Sequence, residues 1–269
     1  MAINKFADMR ENEIKSMFQK IDPTKSPIYG RNRISRSASH TIPHTPSGAK
    51  IPDFVDWRTA GIVTPVKDQG ENGTCYAHSA VGAFESQLAI HSGKTVPLSV
   101  QQVVDCTSEF GSNTPYKAYE YIIFSGLTTE ALYKPRVNYT KGHCDYYVKT
   151  VYGKAYAFGI LKPGDEQALQ EAVATIGPIS VCIQCPKGFW FYKGGITDDP
   201  NCKSDLITVD QCVLVVGYGT DTKTKQDYWL VKSSSGENWG EDGYVRMARN
   251  KHNQCAIATL ASYPVITRV

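Results

Sequence analysis

Gln69-Gly70-Glu71-Asn72-Gly73-Thr74-Cys75-Tyr76-Ala77 leaves a glycine-rich loop and enters an apolar-periodic stretch that runs to about His91 and stops at Gly93. The periodicity predicts a helix, and the loop ahead of it puts Cys75 in its first turn. There the unsatisfied backbone N–H groups and the macrodipole favour a thiolate. The same N–H groups, with the Gln69 carboxamide, can hold an oxyanion. A buried structural thiol is the alternative reading of such a cysteine.

Downstream of this helix, Ser99 is a good N-cap and Pro115 suits a first-turn position, so two shorter helices are expected. The second half holds one more helix, from about Asp165 to Ile176, stopped by Gly177-Pro178. Elsewhere it is rich in Val, Ile and Tyr, and residues 179–184, 209–217, 228–232 and 244–248 read as strands. Helices first and strands later predict an α+β fold of two subdomains with a cleft between them, helical over about 57–145 and β-rich, barrel-like, over about 146–269. Upstream, Phe6, Met9, Ile14, Met17 and Phe18 have the spacing of an amphipathic helix over 6–20. Residues 22–52 then turn to Pro, Ser, Thr and basic side chains, an extended connector without a core of its own. The boundary between connector and globular domain is set at 50/51.

The 269 residues are 41% hydrophobic and 20% charged, with a formal net charge of +3. So mild a basic balance without a Lys/Arg block gives no reason to invoke nucleic acid. The longest apolar runs fall far short of a membrane span. Cys182 and Cys185 have two residues between them but no second pair and no nearby histidine, so no metal is expected, and nothing calls for a cofactor. Eight cysteines and two N-x-S/T sequons, at Asn72 and Asn138, favour an oxidising compartment.

Taken together, several long stretches in the correct order resemble the papain family of cysteine peptidases. Asn72-Gly73-Thr74-Cys75-Tyr76 is similar to the family's nucleophile signature, and Phe54-Val55-Asp56-Trp57-Arg58 to its mature N-terminus. Val213-Leu214-Val215-Val216-Gly217-Tyr218-Gly219 resembles the segment after its catalytic histidine. Tyr228-Trp229-Leu230-Val231-Lys232 and Asn238-Trp239-Gly240-Glu241-Asp242-Gly243-Tyr244 resemble the surroundings of its catalytic asparagine. Asn4-Lys5-Phe6-Ala7-Asp8 resembles the end of a prosegment, which makes residues 1–50 a prosegment remnant and connector. The resemblance implies a papain-like fold, Cys75 as nucleophile and Gln69 in the oxyanion hole.

It also exposes what is missing. The histidine position falls on Gln211, 136 residues after Cys75, and no histidine stands between His143 and His252. The asparagine position falls on Ser233 and the shielding tryptophan on Ser235. Glutamine cannot accept the thiol proton or return it to a leaving amine. His78, three residues after Cys75, points along the helix rather than across the cleft, and His252 lies near Cys255 in a loop. The substrate-binding loop aligns onto 111–115, so Thr114 and Pro115 stand in the cleft, and Pro115 has no N–H for a bound peptide. One family disulfide is lost on both sides, at Asn72 and Ser112. Two others align onto Cys106–Cys144 and Cys202–Cys255. Cys182 and Cys212 align onto the specificity pocket, where two buried thiols are the default expectation and a mutual bridge the alternative. Cys185 has no assigned role.

The resulting expectation is an inactive papain-family homologue acting by binding. Its partners would be a peptide or protein ligand in the cleft and, uncleaved, its own prosegment. An active cysteine endopeptidase using Cys75 with an altered dyad is the alternative, and a reactive-thiol protein a third. The family and the cysteines imply a secreted or lysosomal/vacuolar location. Glycans on Asn72 and Asn138 are expected with it, that on Asn72 crowding the cleft entrance, unless the sequon is unused.

Overall fold

The computed structural model describes Phe6, Met9, Ile14 and residues 40–107, 113–185 and 187–266. Helix α1 (Cys75–Ser92) buries residues on nearly every face, from Tyr76 and Ala77 through Val81 and Phe84 to Ala89. It is therefore a core helix rather than a surface one. Gly93 ends it at φ 69°, its N–H on the Ala89 carbonyl, a backbone conformation that only glycine adopts without strain. Helix α2 (Val100–Cys106) starts at Ser99, whose hydroxyl accepts the Gln102 N–H, a cap that contributes about 1 kcal/mol. Helix α3 (Pro115–Phe124) opens on its proline, where the missing N–H is an orphan anyway. Helix α4 (Glu166–Thr175) is capped by the Asp165 carboxylate on Ala168 N–H.

Nine strands among the described residues form one sheet. They are β1 (Thr41–Pro43), β2 (Val55–Asp56), β3 (Ala157–Ile160), β4 (Ile179–Ile183), β5 (Ile196–Thr197), β6 (Gln211–Thr220), β7 (Asp227–Lys232), β8 (Tyr244–Ala248) and β9 (Leu260–Val265). The order is β1-β3-β9-β4-β6-β7-β8-β5, with β2 on β6. The β1/β3 and β5/β8 pairs are parallel and the others antiparallel. A bulge interrupts β6 between Val215 and Gly217, where any side chain on Gly217 would run into the Val55 carbonyl.

Two large apolar cores result, with a smaller cluster of Ala83, Leu214, Val216 and Leu230 where α1 meets β6 and β7. One gathers Tyr76, Val81 and Phe84 of α1 with Tyr119, Ile122 and Phe158 on the helical side. The other gathers Leu169, Val181, Trp229, Val231 and Trp239 on the sheet side. The fold is α+β, with three of the four described helices in the first half and seven of the nine strands in the second. Helix α1 packs across β6 at the junction.

The connector is less detached than its composition suggests. Residues 41–43 pair with β3 as β1, His44 N–H continues onto the Ile160 carbonyl, and Ser47 donates to the Glu171 carboxylate through both N–H and hydroxyl. Proline-rich composition forbids an independent core but not a borrowed one. The helix expected over 6–20 lies largely outside the described residues. Of its side chains, Phe6 is buried against Trp190, ring centroids 5.7 Å apart.

Candidate active site

Four contacts bring the sequence-predicted residues to one end of the sheet. Cys75, the first residue of α1, receives the Cys212 backbone N–H on its sulfur. Gln211 is the residue before Cys212 and the first of β6. Ser233 follows the last residue of the antiparallel neighbour β7, so both stand at the same end of adjacent strands. Gln69 is fastened to Ser234 twice: its N–H donates to the Ser234 carbonyl at 2.8 Å, and its carboxamide oxygen accepts the Ser234 hydroxyl. The Ser233 hydroxyl meets that of Ser235 at 2.9 Å. Neither serine offers the carboxamide that would orient an imidazole.

Cys75 is 2% exposed. Burial pushes its thiol up to about 12, against the pull of the Cys212 N–H, and the nearby Asp210 carboxylate pushes the same way as burial. The sequence argument for a thiolate at a helix start is therefore corrected: the N–H groups are in place, but desolvation of the charged form outweighs them. At neutral pH the thiol form therefore dominates.

Two neighbours of the nucleophile escaped the sequence reading. Asp210 accepts the Cys185 N–H at 2.8 Å, and burial raises its carboxyl to about 6. Cys185 is a free thiol, held well above its ordinary range by burial and then by Asp210 and Cys75. The available signal was the adjacency of Asp210 to Gln211 at a strand start, opposite the end of 179–184. One prediction follows from this geometry. Alkylation of Cys75 by iodoacetamide should keep accelerating beyond pH 9 without a plateau, and Asp210→Asn, which removes the opposing charge, should speed it roughly threefold to tenfold at pH 8. A plateau near pH 7 would refute the high thiol.

His78 turns to Tyr139, edge to face at 4.5 Å between centroids. It lines a cavity of about 20 Å³ behind the site with Lys67, Ser79, Glu85, Lys232 and Ser233. His252 sits in a bend whose carbonyl accepts the Ser204 hydroxyl. Of the cleft loop, Gly111 and Ser112 lie outside the described residues. Thr114 and Pro115 are buried at the start of α3. Asn113 lines a hollow of about 320 Å³ with Asn72, Thr74, Tyr76, Tyr139 and Lys141 beside the start of α1. The two sequons face each other across its rim: the Asn72 side chain donates to the Asn138 carbonyl at 2.8 Å, and its amide nitrogen lies 3.5 Å from the Thr140 hydroxyl.

Cys106–Cys144 and Cys202–Cys255 are bridged. Cys182 and Cys212 also form a disulfide, Cα atoms 3.9 Å apart, which corrects the expectation of two buried thiols. The reason is register: the two residues are directly opposite on β4 and β6. Both are buried in the core that contains Cys75, so they form no exposed cleft wall. Among the described residues no group of His, Cys, Asp or Glu is arranged to hold a metal, and no helix is long and apolar enough to cross a membrane.

The profile of the papain family cysteine proteases matches residues 51–265. Cathepsin L1 of Drosophila melanogaster is 38% identical over 99% of this chain and 72% of its own length. Cathepsin S of Mus musculus is 45% identical over 88% of this chain and 71% of its own. Among solved structures, digestive procathepsin L 3 from Tenebrio molitor larval midgut superimposes with a TM-score of 0.85 at 34% identity, covering 98% of this chain and 82% of that one.

Proposed function

The chain belongs to the papain family of cysteine proteases, and from that premise we propose that it has lost peptide hydrolysis and acts by binding a peptide or protein segment in its cleft. The observation that carries this reading is Gln211, 1% exposed at the position where the family's base would stand. Its Oε1 has no hydrogen-bond partner among the described residues. A carboxamide offers no proton shuttle, and Ser233 offers no orienting amide. Asp210 does not replace the base. Its carboxyl, raised by burial to about 6, is still far more acidic than the thiol that burial pushes up to about 12, so proton transfer from Cys75 to Asp210 runs uphill before any bond to carbon forms.

The remaining site still favours a ligand. Gln69 keeps its carboxamide oxygen engaged by Ser234, which leaves its NH₂ end for a carbonyl oxygen. In the uncleaved chain the first occupant is the protein's own prosegment, supported by the alignment of 98% of this chain with a solved procathepsin. Three disulfides and two facing sequons support a secreted or lysosomal/vacuolar route with glycans on Asn72 and Asn138. The second reading, a cysteine endopeptidase with an altered dyad, is favoured by the retained Cys75 and the fixed Gln69.

Thiol-dependent turnover of a mixed fluorogenic peptide library separates the two. The test compares the chain, before and after removal of residues ahead of Ile51, with a Cys75→Ala control. Turnover equal to the control supports a binding protein. Turnover that vanishes only in the control overturns it.

A further inference from the structure

The hollow of about 320 Å³ beside the start of α1 is large enough for a side chain or a small ligand. Tyr76, Val104 and Tyr139, all buried, give it an apolar lining, while Asn72 and Lys141 are exposed. Two of its groups are unspent. Thr74 holds the N-cap position of α1, yet its side chain makes no capping bond, in contrast to Ser99 on α2. It is 4% exposed, and its Oγ1 has no hydrogen-bond partner among the described residues. A buried hydroxyl left unpaired is destabilising and calls for a partner. Lys141, the second, makes no ion pair among the described residues. Asp105, which accepts the N–H of the next residue, Gly142, at 2.6 Å, is already spent. It also accepts the Gln101 amide at 2.9 Å and the Tyr133 hydroxyl at 2.8 Å, and it is paired with Arg136. The hollow thus has an ammonium and an unpaired hydroxyl, and no acidic side chain among its described lining residues. It also lies at the positive end of the 18-residue helix α1.

We propose that this hollow receives a carboxylate of the peptide or protein segment held in the cleft, paired with the Lys141 ammonium and accepting the Thr74 hydroxyl. The inference deepens the binding reading above and rests on it for the peptide, though not for the hollow itself. An ionised carboxylate is an acceptor only, so it meets both unspent donors at once, and bonds to a charged group are the stronger kind. A cationic side chain would face Lys141 and the positive helix end. An apolar one would leave the Thr74 hydroxyl unpaired, so both are disfavoured against an acid. Because Thr74 precedes Cys75, the acidic group of the ligand lies next to the position of the silent nucleophile. The carboxylate belongs either to an Asp or Glu side chain or to a chain end.

The test is fluorescence anisotropy of labelled hexapeptides on the full chain carrying Cys75→Ala, so that turnover cannot intrude. The chain is made without glycans, because Thr74→Val also breaks the Asn72 sequon. The peptides are N-acetylated and C-amidated, with one Glu moved through the six positions and Gln in its place as the control. A further set has a free C-terminal carboxylate. The expected result is about tenfold tighter binding of Glu than Gln at one position, or of the free over the amidated end, which identifies the source. Lys141→Met should abolish the preference, Thr74→Val should cut it about threefold, and Thr74→Ser, which keeps the hydroxyl, should retain it. Thermal melts check the fold: Lys141 is exposed and the Thr74 hydroxyl is unpaired, so neither change should lower the melting temperature. Equal binding of acid and amide at every position overturns the proposal, as does a preference that survives Lys141→Met. Should no hexapeptide bind, the cleft reading fails, and an NMR titration with N-acetylglutamate N-methylamide decides the hollow alone. A saturable shift at Gly73 that Lys141→Met removes supports the site, and its absence overturns it.

Discussion

Replacing Gln211 by histidine and Ser233 by asparagine is expected to raise thiol-dependent peptide hydrolysis by at least about 10³-fold over the present chain. Removal of the base in a comparable serine-protease dyad costs about 10⁶ in turnover, roughly 8 kcal/mol of barrier. Gln211 is buried at the start of β6, immediately before Cys212 on the same strand. An imidazole there would share the thiol proton and form the ion pair that burial now forbids. The asparagine at 233 would supply its orienting carboxamide, provided Ser235 releases the hydroxyl contact it now makes with Ser233. Full recovery is not expected, because Pro115 still lacks its donor and the Cys182–Cys212 bridge still fills its core. The measurement is kcat/KM on fluorogenic peptides, with Cys75→Ala in the same background as control. The pH profile of Cys75 alkylation should also acquire a step below neutral. A double variant no faster than the unaltered chain would show that the deficit lies elsewhere.

Glu85→Ala should be the most damaging single change to stability outside the site. The Glu85 carboxylate is buried, accepts the Thr64 hydroxyl at 2.6 Å and the Leu98 N–H at 2.7 Å, and lies 3.4 Å from the Lys67 ammonium. Lys232, also buried, lines the same cavity and donates to the Thr64 carbonyl at 2.7 Å. Burial drives its ammonium down to about 8, with Glu85 opposing the fall. Truncating Glu85 leaves Lys67 with Glu130 and the Leu98 carbonyl and removes the carboxylate that opposes the fall at Lys232. The cost of such a broken buried pair is about 3–5 kcal/mol. That corresponds to a fall in melting temperature on the order of 10 °C for a domain of this size. A loss below about 1 kcal/mol in urea unfolding would mean that water in the cavity already solvates these charges.

The elements legible in the sequence are those with local causes. Helix α1 declares itself by periodicity and by Gly93, α2 and α4 by Ser99 and Asp165, and α3 by Pro115. Strands β6, β7 and β8 are dense enough in Val, Tyr and Trp to stand out. By contrast β1, β2, β3, β5 and β9 are short or contain Pro and Gly, and exist because a neighbour offers a pairing edge. The same division runs through the site. Cys75, Gln69, Gln211 and Ser233 were found because they stand in recognisable stretches. The Cys182–Cys212 bridge depends on which residue of β4 faces which residue of β6, a matter of register that no composition reports. The high thiol of Cys75 depends on burial, which overrode a helix-terminus argument that was sound in itself.

Strand β1 does something for the sheet that its place in the connector would not suggest. It lies outermost, in parallel register with Phe158–Ile160, and its last residue is Pro43. A proline there lacks the donor a further strand would need, so the sheet stops growing at that side. A chain shortened to begin at Ile51 would hand the outermost place to β3, which has no proline and would turn its unpaired amides toward whatever extended chain came next. The connector is, in that sense, a terminator against strand addition, and its removal would leave the protein with one more surface through which two copies can join.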